Sequence, residues 1–466
     1  MFAPKGLTSR WTLLIAGDVV LAIVAAYFGR LMAVPANIHF PAPNTFAFAV
    51  GVIALLWLIS FYLCDLYRLD GPRSNLATLA SMLIALACMV LLVSASALTF
   101  PVLNLGRRFY LANLSAAIVL VSGWRLMTAN VIGKWQSVGV LVLGNEAHHE
   151  LIGTEIDRRQ HIGYKLLADE RESAIAMIAA AARPGRPMLS LAPAMGGGVT
   201  FAARDDVKVL VIGLEGRYLP IAPRELLRWR LHGTEVVSVL TFYERLAGKL
   251  PLAFVDELSL VFSPTLLHSN WRLKVKRMSD IAAALIIGLV TLPIAILTAL
   301  AVKLTSRGPI LYSQLRVGMH GGTFAVRKFR SMRIDAETAT GGAVWAVRGD
   351  SRVTRIGRFI RRFRIDELPQ LINVLTGDMS LIGPRPERPE IASRLALHNH
   401  LYDHRHCMRP GITGWAQVCY PYGASIADSM EKLAYDLYYV RNWSLTLDLQ
   451  VLLQTFKVVL LGRGGR

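Results

Sequence analysis

Apolar positions are bunched along this chain, and four nearly unbroken runs fall at 11–32, 46–64, 77–100 and 109–127. Each is close to the ~20 residues that a helix needs to cross a bilayer, and four in succession are hard to bury in a soluble core. From about Ser137 the runs shorten. The stretches 138–143, 207–214 and 236–240 are rich in β-branched residues and leucine, with helix-like segments such as 171–182 between them. That alternation predicts a small α/β domain around a parallel sheet. A fifth long apolar run, 281–302, carries no charge and has Pro293 near its centre. The last one, 445–461, is broken by Asp448, Gln450, Gln454 and Lys457, which fits a surface-lying or packing helix better than a span.

Basic residues orient these runs. Lys5 and Arg10 precede the first, Arg68 and Arg73 join the second to the third, and Arg125 and Lys134 close the fourth. The positive-inside rule then puts both ends of the bundle in the cytoplasm, although Arg107 and Arg108 lie on the other side. The 281–302 run is basic on both flanks, with Arg272, Lys274, Lys276 and Arg277 before it and Lys303 and Arg307 after it. A straight span would export everything beyond it, including 24 Lys and Arg against 13 Asp and Glu from residue 302 onward. Proline removes a backbone hydrogen bond and bends a helix. The expectation is therefore a re-entrant helix, kinked at Pro293, that returns to the cytoplasmic face.

Composition agrees with a membrane protein. Charged residues make up only 18% of the 466, against ~25% in soluble domains. The balance is basic, 51 Lys and Arg against 32 Asp and Glu. Such an excess suits anionic lipid, phosphorylated substrates or nucleic acid. Nucleic acid is the poorest of these, because it gives the membrane runs no task. The four cysteines show no disulfide or CxxC pattern, and the first apolar run, lacking a cleavage signature, reads as a retained anchor. In the α/β region the turn after the first strand is Gly144-Asn145-Glu146-Ala147-His148-His149, with one of the three glycines of a dinucleotide fingerprint. There is no Tyr-x-x-x-Lys pair, so a dehydratase or epimerase working from this region is the weaker reading. A degenerate Rossmann-like domain with a structural or regulatory role is the stronger. Gly196-Gly197-Gly198 reads as a flexible turn.

Chemistry-bearing residues concentrate after the fifth run. Ile356, Phe359, Ile360 and Phe363 repeat at helical spacing among Arg355, Arg358, Arg361, Arg362 and Arg364, a basic amphipathic helix suited to an anionic membrane face. Asp366 and Glu367 follow. Leu368, Leu371, Ile372 and Leu375 mark the buried face of a second helix, with Pro369 in its first turn and Gly377 past its end. Asp366 then falls at a helix N-terminus, where dipole and arginines would keep it ionised and draw in phosphate. An ionised Asp can attack phosphorus, and an adjacent Glu can hold a divalent cation; ordinary helix capping is the plain alternative. His398, His400, His404, His406 and Cys407 crowd together, and His400 with His404 has the i, i+4 spacing of a helical metal pair, but no second ligand group with recognisable spacing accompanies them, so a metal site is the weaker reading.

Ordered motifs then accumulate. Lys328-Phe329-Arg330-Ser331-Met332, Asp366-Glu367-Leu368-Pro369-Gln370, Leu381-Ile382-Gly383-Pro384-Arg385-Pro386-Glu387 and Arg409-Pro410-Gly411-Ile412-Thr413-Gly414-Trp415-Ala416-Gln417-Val418 closely resemble the bacterial sugar transferases, the polyprenyl-phosphate phosphoglycosyl transferases. The resemblance runs from about Lys274 to the C-terminus. With the upstream bundle and α/β region it matches the family's large form. It implies a four-helix transmembrane bundle (1–135), a Rossmann-like domain (136–262) and a membrane-associated, α-rich catalytic domain (263–466) on the cytoplasmic face of the bacterial inner membrane. It implies Asp366 as nucleophile on a UDP-sugar and Glu367 as the Mg2+ ligand. It further implies Lys328, Arg330, Arg364, Arg385 and Arg316 as phosphate contacts, with undecaprenyl phosphate as acceptor. Glucose is the first expectation for the sugar and galactose the second. Membrane lipid is a further partner, and a homo-oligomer stands open beside a monomer. After Val418 the common members read Asn-Gly, whereas this chain has Cys419-Tyr420-Pro421-Tyr422-Gly423, which resembles the exosortase-associated subgroup.

Overall fold

The computed structural model describes residues 5–33, 42–64, 105–135, 138–159, 163–167, 207–213, 223–255, 270–333, 352–420 and 425–460, with Gly423 and a few positions between 66 and 96. Three long helices open the chain: α1 (Lys5–Ala33), α2 (Pro43–Leu63) and α3 (Arg107–Trp135), which carry the first, second and fourth apolar runs. Ala22, Ala25 and Ala117 are buried between them, and small residues let helix backbones approach closely. Asp18 of α1 and Arg125 of α3 form a buried ion pair at 2.6 Å. A charge pair inside such a bundle is tolerated only because each side neutralises the other. Of the third run, 77–100, only parts lie among the described residues, helical at 84–90; Ala85, Leu86 and Met89 join the same core.

A four-stranded sheet follows, built from β1 (Val138–Leu143), β2 (Tyr164–Leu166), β3 (Val207–Ile212) and β4 (Glu235–Ser238) in the order β2-β1-β3-β4, every neighbouring pair parallel. β1 and β3 are almost wholly buried, as strands covered on both faces must be. Helix α4 (Glu146–Arg158) starts on a capping box in which Asn145 and His148 satisfy each other's backbone. The His148 ring lies against both Gly144 and Gly213, at the carboxyl ends of β1 and β3, and a Cβ at either glycine would collide with it. Helices α5 (Pro223–Leu231) and α6 (Val239–Ala247) complete this part. The segments 171–182 and 196–198 lie outside the described residues. By its internal packing the chain separates into one unit of residues 2–246 and another from Ala247 to Arg466.

The longest element of the second unit is α7 (Asn270–Thr305), 36 residues with Pro293 inside it. Helical backbone continues through the proline, so any change of direction is a bend within one helix and not a loop. Leu289, Val290, Leu297 and Leu300 are exposed on it, an apolar surface of the kind that lies against lipid or a partner. Among the described residues three helices are long and apolar enough to cross a membrane: Leu13–Ala33, Pro43–Tyr62 and Trp271–Thr305. Both ends of α7 are fixed to the same body. Near its start, Arg277 donates to the carbonyls of Val374 (2.5 Å) and Leu375 (2.9 Å), while Lys276 pairs with Asp448 at 2.8 Å. Near its end, Val302 is buried against Phe329 and Ile360.

That body holds an antiparallel hairpin of β5 (Leu311–Val317) and β6 (Thr323–Phe329), then α8 (Arg355–Arg362) and the seven-residue α9 (Gln370–Thr376). Short β7 (Ser380–Ile382) pairs in parallel with β8 (Gly411–Thr413), with α10 (Pro389–Ala396) between them. Helices α11 (Trp415–Cys419), α12 (Ile426–Asn442) and α13 (Leu445–Leu460) close the chain. The expected face of α9 needs correction: Leu371 and Val374 are buried, whereas Ile372 and Leu375 are exposed. The two exposed side chains instead line an apolar groove of about 880 Å³ with Leu285, Gly288 and Leu292 of α7.

Candidate functional site

The Asp366-Glu367 pair sits at a sharp local reversal. Helix α8 is capped by Thr354, whose side chain accepts from the Gly357 N–H, and ends at Phe363. Arg364 then takes left-handed backbone angles (φ 55°, ψ 22°), a conformation that costs a non-glycine residue about 1–3 kcal/mol and is found where a site needs it. Residues 365–367 form a single 3-10 turn. The placement of Asp366 at the N-terminus of the next helix is therefore corrected. Pro369 has no N–H to continue an i→i−4 ladder, so it caps α9, which starts only at Gln370. The state of the acids is set by burial and side-chain charge.

The two carboxylates, adjacent in sequence and both buried, meet opposite fates. Arg364 donates to Glu367 Oε2 through Nη2 (2.9 Å) and Nε (3.1 Å). On Oε1, Arg385 approaches at 3.3 Å and Lys328 at 3.6 Å. Burial opposes ionisation of Glu367, but Arg364, Arg385 and Lys328 outweigh it and hold this carboxyl well below the usual range. Asp366 is pushed up to about 6, first by burial and then by the negative charge of Glu367, with Lys328, Arg361 and Arg364 pulling the other way. Burial also lowers Lys328 to about 8. Three cations against two carboxylates leave one surplus positive charge beside Asp366 when both acids are ionised.

Separate elements bring these groups together. Lys328 stands on β6, opposite Tyr312 of β5. Arg385 stands on the loop after β7, stiffened by Pro384 and Pro386. A Cβ at Gly383 would strike the Arg409 carbonyl and one at Gly414 would strike Gly383, so only glycine lets these backbones touch. The buried Arg405, paired with Asp436 at 2.6 Å, donates to the Arg385 carbonyl at 3.0 Å and fixes the loop from below. Lys328, Arg364 and Arg385 thus converge on Glu367. Two expected members do not. Arg330 is buried past the end of β6, and its guanidinium donates to the carbonyls of Ser306 (2.8 Å) and Arg307 (2.9 Å) at the end of α7. Arg316 donates to the Pro386 carbonyl at 3.2 Å and lies 3.7 Å from Glu387, bracing the loop that carries Arg385.

Sequence reasoning missed one participant, Gln417 of α11, whose Oε1 accepts from Arg364 at 3.2 Å. Its place in the Gly-Trp-Ala-Gln-Val motif was the available signal. His400, His404, His406 and Cys407 lie on a 3-10 helix, His400–Cys407, where three residues make a turn, so the i, i+4 pairing of an α-helix does not apply. Among the described residues, no group of three or more His, Cys, Asp or Glu is arranged to hold a metal ion. A small hard cation needs less: magnesium is commonly held by one or two carboxylates with substrate phosphates, and the neighbouring Asp366 and Glu367 supply such oxygens.

Fold and site together define a membrane-associated protein whose C-terminal unit presents a cation-rimmed acidic pair. The chain belongs to the bacterial sugar transferase family, whose pattern matches residues 271–462. It is 42% identical over 243 residues to the UDP-N-acetylgalactosamine-undecaprenyl-phosphate N-acetylgalactosaminephosphotransferase of Aeromonas hydrophila, covering 52% of this chain and 56% of that one. It is 44% identical over 244 residues to the undecaprenyl-phosphate glucose phosphotransferase of Komagataeibacter xylinus (51% and 46%). The chain thus spans about half the length of these two relatives. It is also 42% identical over 188 residues to the exopolysaccharide production protein PSS of Rhizobium leguminosarum bv. phaseoli, covering 39% of this chain and 94% of that one.

Proposed function

We propose that the protein transfers a sugar 1-phosphate from a UDP-sugar to undecaprenyl phosphate, beginning exopolysaccharide assembly at the cytoplasmic face of the inner membrane. The observation that carries this reading is the split between the two acids: Arg364 holds Oε2 of Glu367 while Arg385 and Lys328 approach Oε1 only at 3.3 and 3.6 Å, and Asp366, in no ion pair among the described residues, is the carboxylate with a nucleophilic oxygen to spare. An Asp366 oxygen attacks the β-phosphorus, the bond from that phosphorus to the bridging oxygen breaks, and UMP leaves. A phosphate oxygen of the lipid then attacks the same phosphorus and releases the aspartate. The cations rimming the site hold the donor's phosphates, the form of stabilisation that phosphoryl transfer depends on. Magnesium, held by Glu367 with Asp366 beside it, would neutralise diphosphate charge when bound.

The apolar groove supports the acceptor half. It runs beside Leu368 and Pro369, which directly follow the acidic pair, and Lys303 stands on its rim. An isoprenoid chain fits its lining. The groove takes Gly288 and Leu292 from before Pro293 and Ala295 and Ala299 from after it; we read α7 as re-entrant from its basic flanks and from both its ends meeting one body. For the sugar we favour glucose, named in the Komagataeibacter relative, and N-acetylgalactosamine, named in the Aeromonas relative, is the second reading. The 136–262 part we read as Rossmann-like and without a bound dinucleotide, because His148 fills the crevice between the ends of β1 and β3 where such a ligand lies.

Detergent-solubilised protein given UDP-glucose labelled in the β-phosphate, without lipid, should retain label. Asp366→Asn should retain none, and it and Glu367→Gln should lose at least ~10³-fold in UMP release with lipid present. Turnover by Asp366→Asn close to wild type would shift the mechanism to direct attack by the lipid phosphate.

A further inference from the structure

Gln417 has two ends, and only one is used by the protein. Its Oε1 accepts from Arg364 Nη2 at 3.2 Å, which fixes the amide orientation because the NH2 group cannot accept. Its Nε2 is buried, and among the described residues no group accepts from it. A buried amide donor left without an acceptor costs about 1–3 kcal/mol, so this one needs a reason. Nothing about its surroundings is loose. Gln417 N donates to the Gly414 carbonyl at 3.0 Å, and Trp415 Nε1 donates to the Gly248 carbonyl at 2.7 Å. Gly414 is seated against Gly383 at the root of the Arg385 loop.

We infer that Gln417 is a binding residue for the donor's diphosphate, its Nε2 donating to a phosphate oxygen that Arg364 also holds. The inference rests on the UDP-sugar reading above. The amide places donor and guanidinium side by side: an anion accepting from the Nε2 hydrogen on the Oε1 side lies close to the Arg364 guanidinium, whose Nη2 is already used by Glu367 and Gln417. Arg364 is thereby held between Glu367 and Gln417, both acceptors, through Nε and Nη2, and among the described residues its Nη1 has no partner and is left to donate. A neutral donor adds a hydrogen bond without tightening the grip on Glu367, which another cation in that position would do. A carboxamide also cannot be titrated away near neutral pH, unlike Lys328 with its value near 8.

Binding of UDP and of uridine to the full-length protein in detergent separates this from a structural role. Gln417→Met keeps side-chain length and removes the donor; Gln417→Glu keeps the acceptor for Arg364 and replaces the donor with negative charge. Both should weaken UDP by on the order of 10- to 100-fold, the scale of a hydrogen bond to a charged group. Uridine, without phosphate, should stay within about twofold. Gln417→Met binding UDP like wild type, or either variant losing uridine and UDP equally, overturns the inference. Should one variant fail to fold, the UDP-to-uridine ratio of the other decides. Wild-type protein that binds no UDP would instead sink the donor assignment itself.

Discussion

Asp366 and Glu367 are neighbours that end in different electrostatic states, and only part of that was legible in the sequence. The motif placed the pair among basic residues, and Lys328, Arg364 and Arg385 do meet at Glu367. The helix-dipole argument failed because Pro369 interrupts the hydrogen-bond ladder and leaves the acids on a 3-10 turn. Burial, which pattern alone does not give, then dominates and raises Asp366. His406 shows the same term acting on a base. Burial first, and Arg405 second, lower its pKa from 6.5 to about 4, against a smaller opposing pull from Asp403. Between those values the unfolded chain takes up a proton that the folded one refuses. Stability is therefore fully present above about pH 6.5 and declines as pH falls toward 4. His406→Phe, which keeps an aromatic ring against Tyr402, should show a smaller drop in melting temperature between pH 7.5 and 5 than wild type. Identical slopes for the two proteins would rule His406 out as the cause.

At the scale of elements, Arg330 parts from Lys328, with which the family resemblance grouped it. Strand β6 ends at Phe329, and the chain turns so that Arg330 caps the carbonyl end of α7. Arg330→Met would leave the Ser306 and Arg307 carbonyls without their charged donor. We expect a loss of about 2–4 kcal/mol in denaturant unfolding, with UMP release per folded molecule kept within ~3-fold. Lys328→Met should do the reverse, sparing stability more than activity. The helix being capped was read correctly as an uncharged run around Pro293, and its two ends on one body agree with the basic flanks. Cysteines at Arg272 and Arg307, both exposed, should resist an impermeant thiol reagent added outside intact cells. Labelling of the Arg307 position alone would mean a straight span and would defeat the re-entrant reading.

Across the whole molecule, the parts differ in how openly their sequences state their role. The C-terminal unit was legible because its motifs are ordered and each marks a backbone constraint: glycines at 383, 411 and 414 where chains touch, and prolines around Arg385. The α/β part shows only a parallel sheet, with the His148 ring lying against its one fingerprint glycine. Relatives sharpen the contrast. The Rhizobium protein is matched over 94% of its length by 188 residues of this chain, and a Bacillus subtilis sugar transferase over 89% by 189. Family members of that size have no room for the first 246 residues, and the matching expectation is that the second unit is active without them. Its boundary is set by contacts: Leu250 is buried and its N–H donates to the Ala434 carbonyl at 3.1 Å, while Lys249 pairs with Glu431 at 2.5 Å. A fragment starting at Ala247 keeps these anchors; one starting at Asn270 loses them and the Gly248 carbonyl that Trp415 uses. The 247–466 fragment should fractionate with membranes through α7 and release UMP within ~10-fold of the full chain. The 270–466 fragment should melt lower by several degrees, a shift that one or two lost buried contacts produce in a domain of this size. A 247–466 fragment that folds, binds UDP and yet releases no UMP would show that the first unit takes part in the reaction.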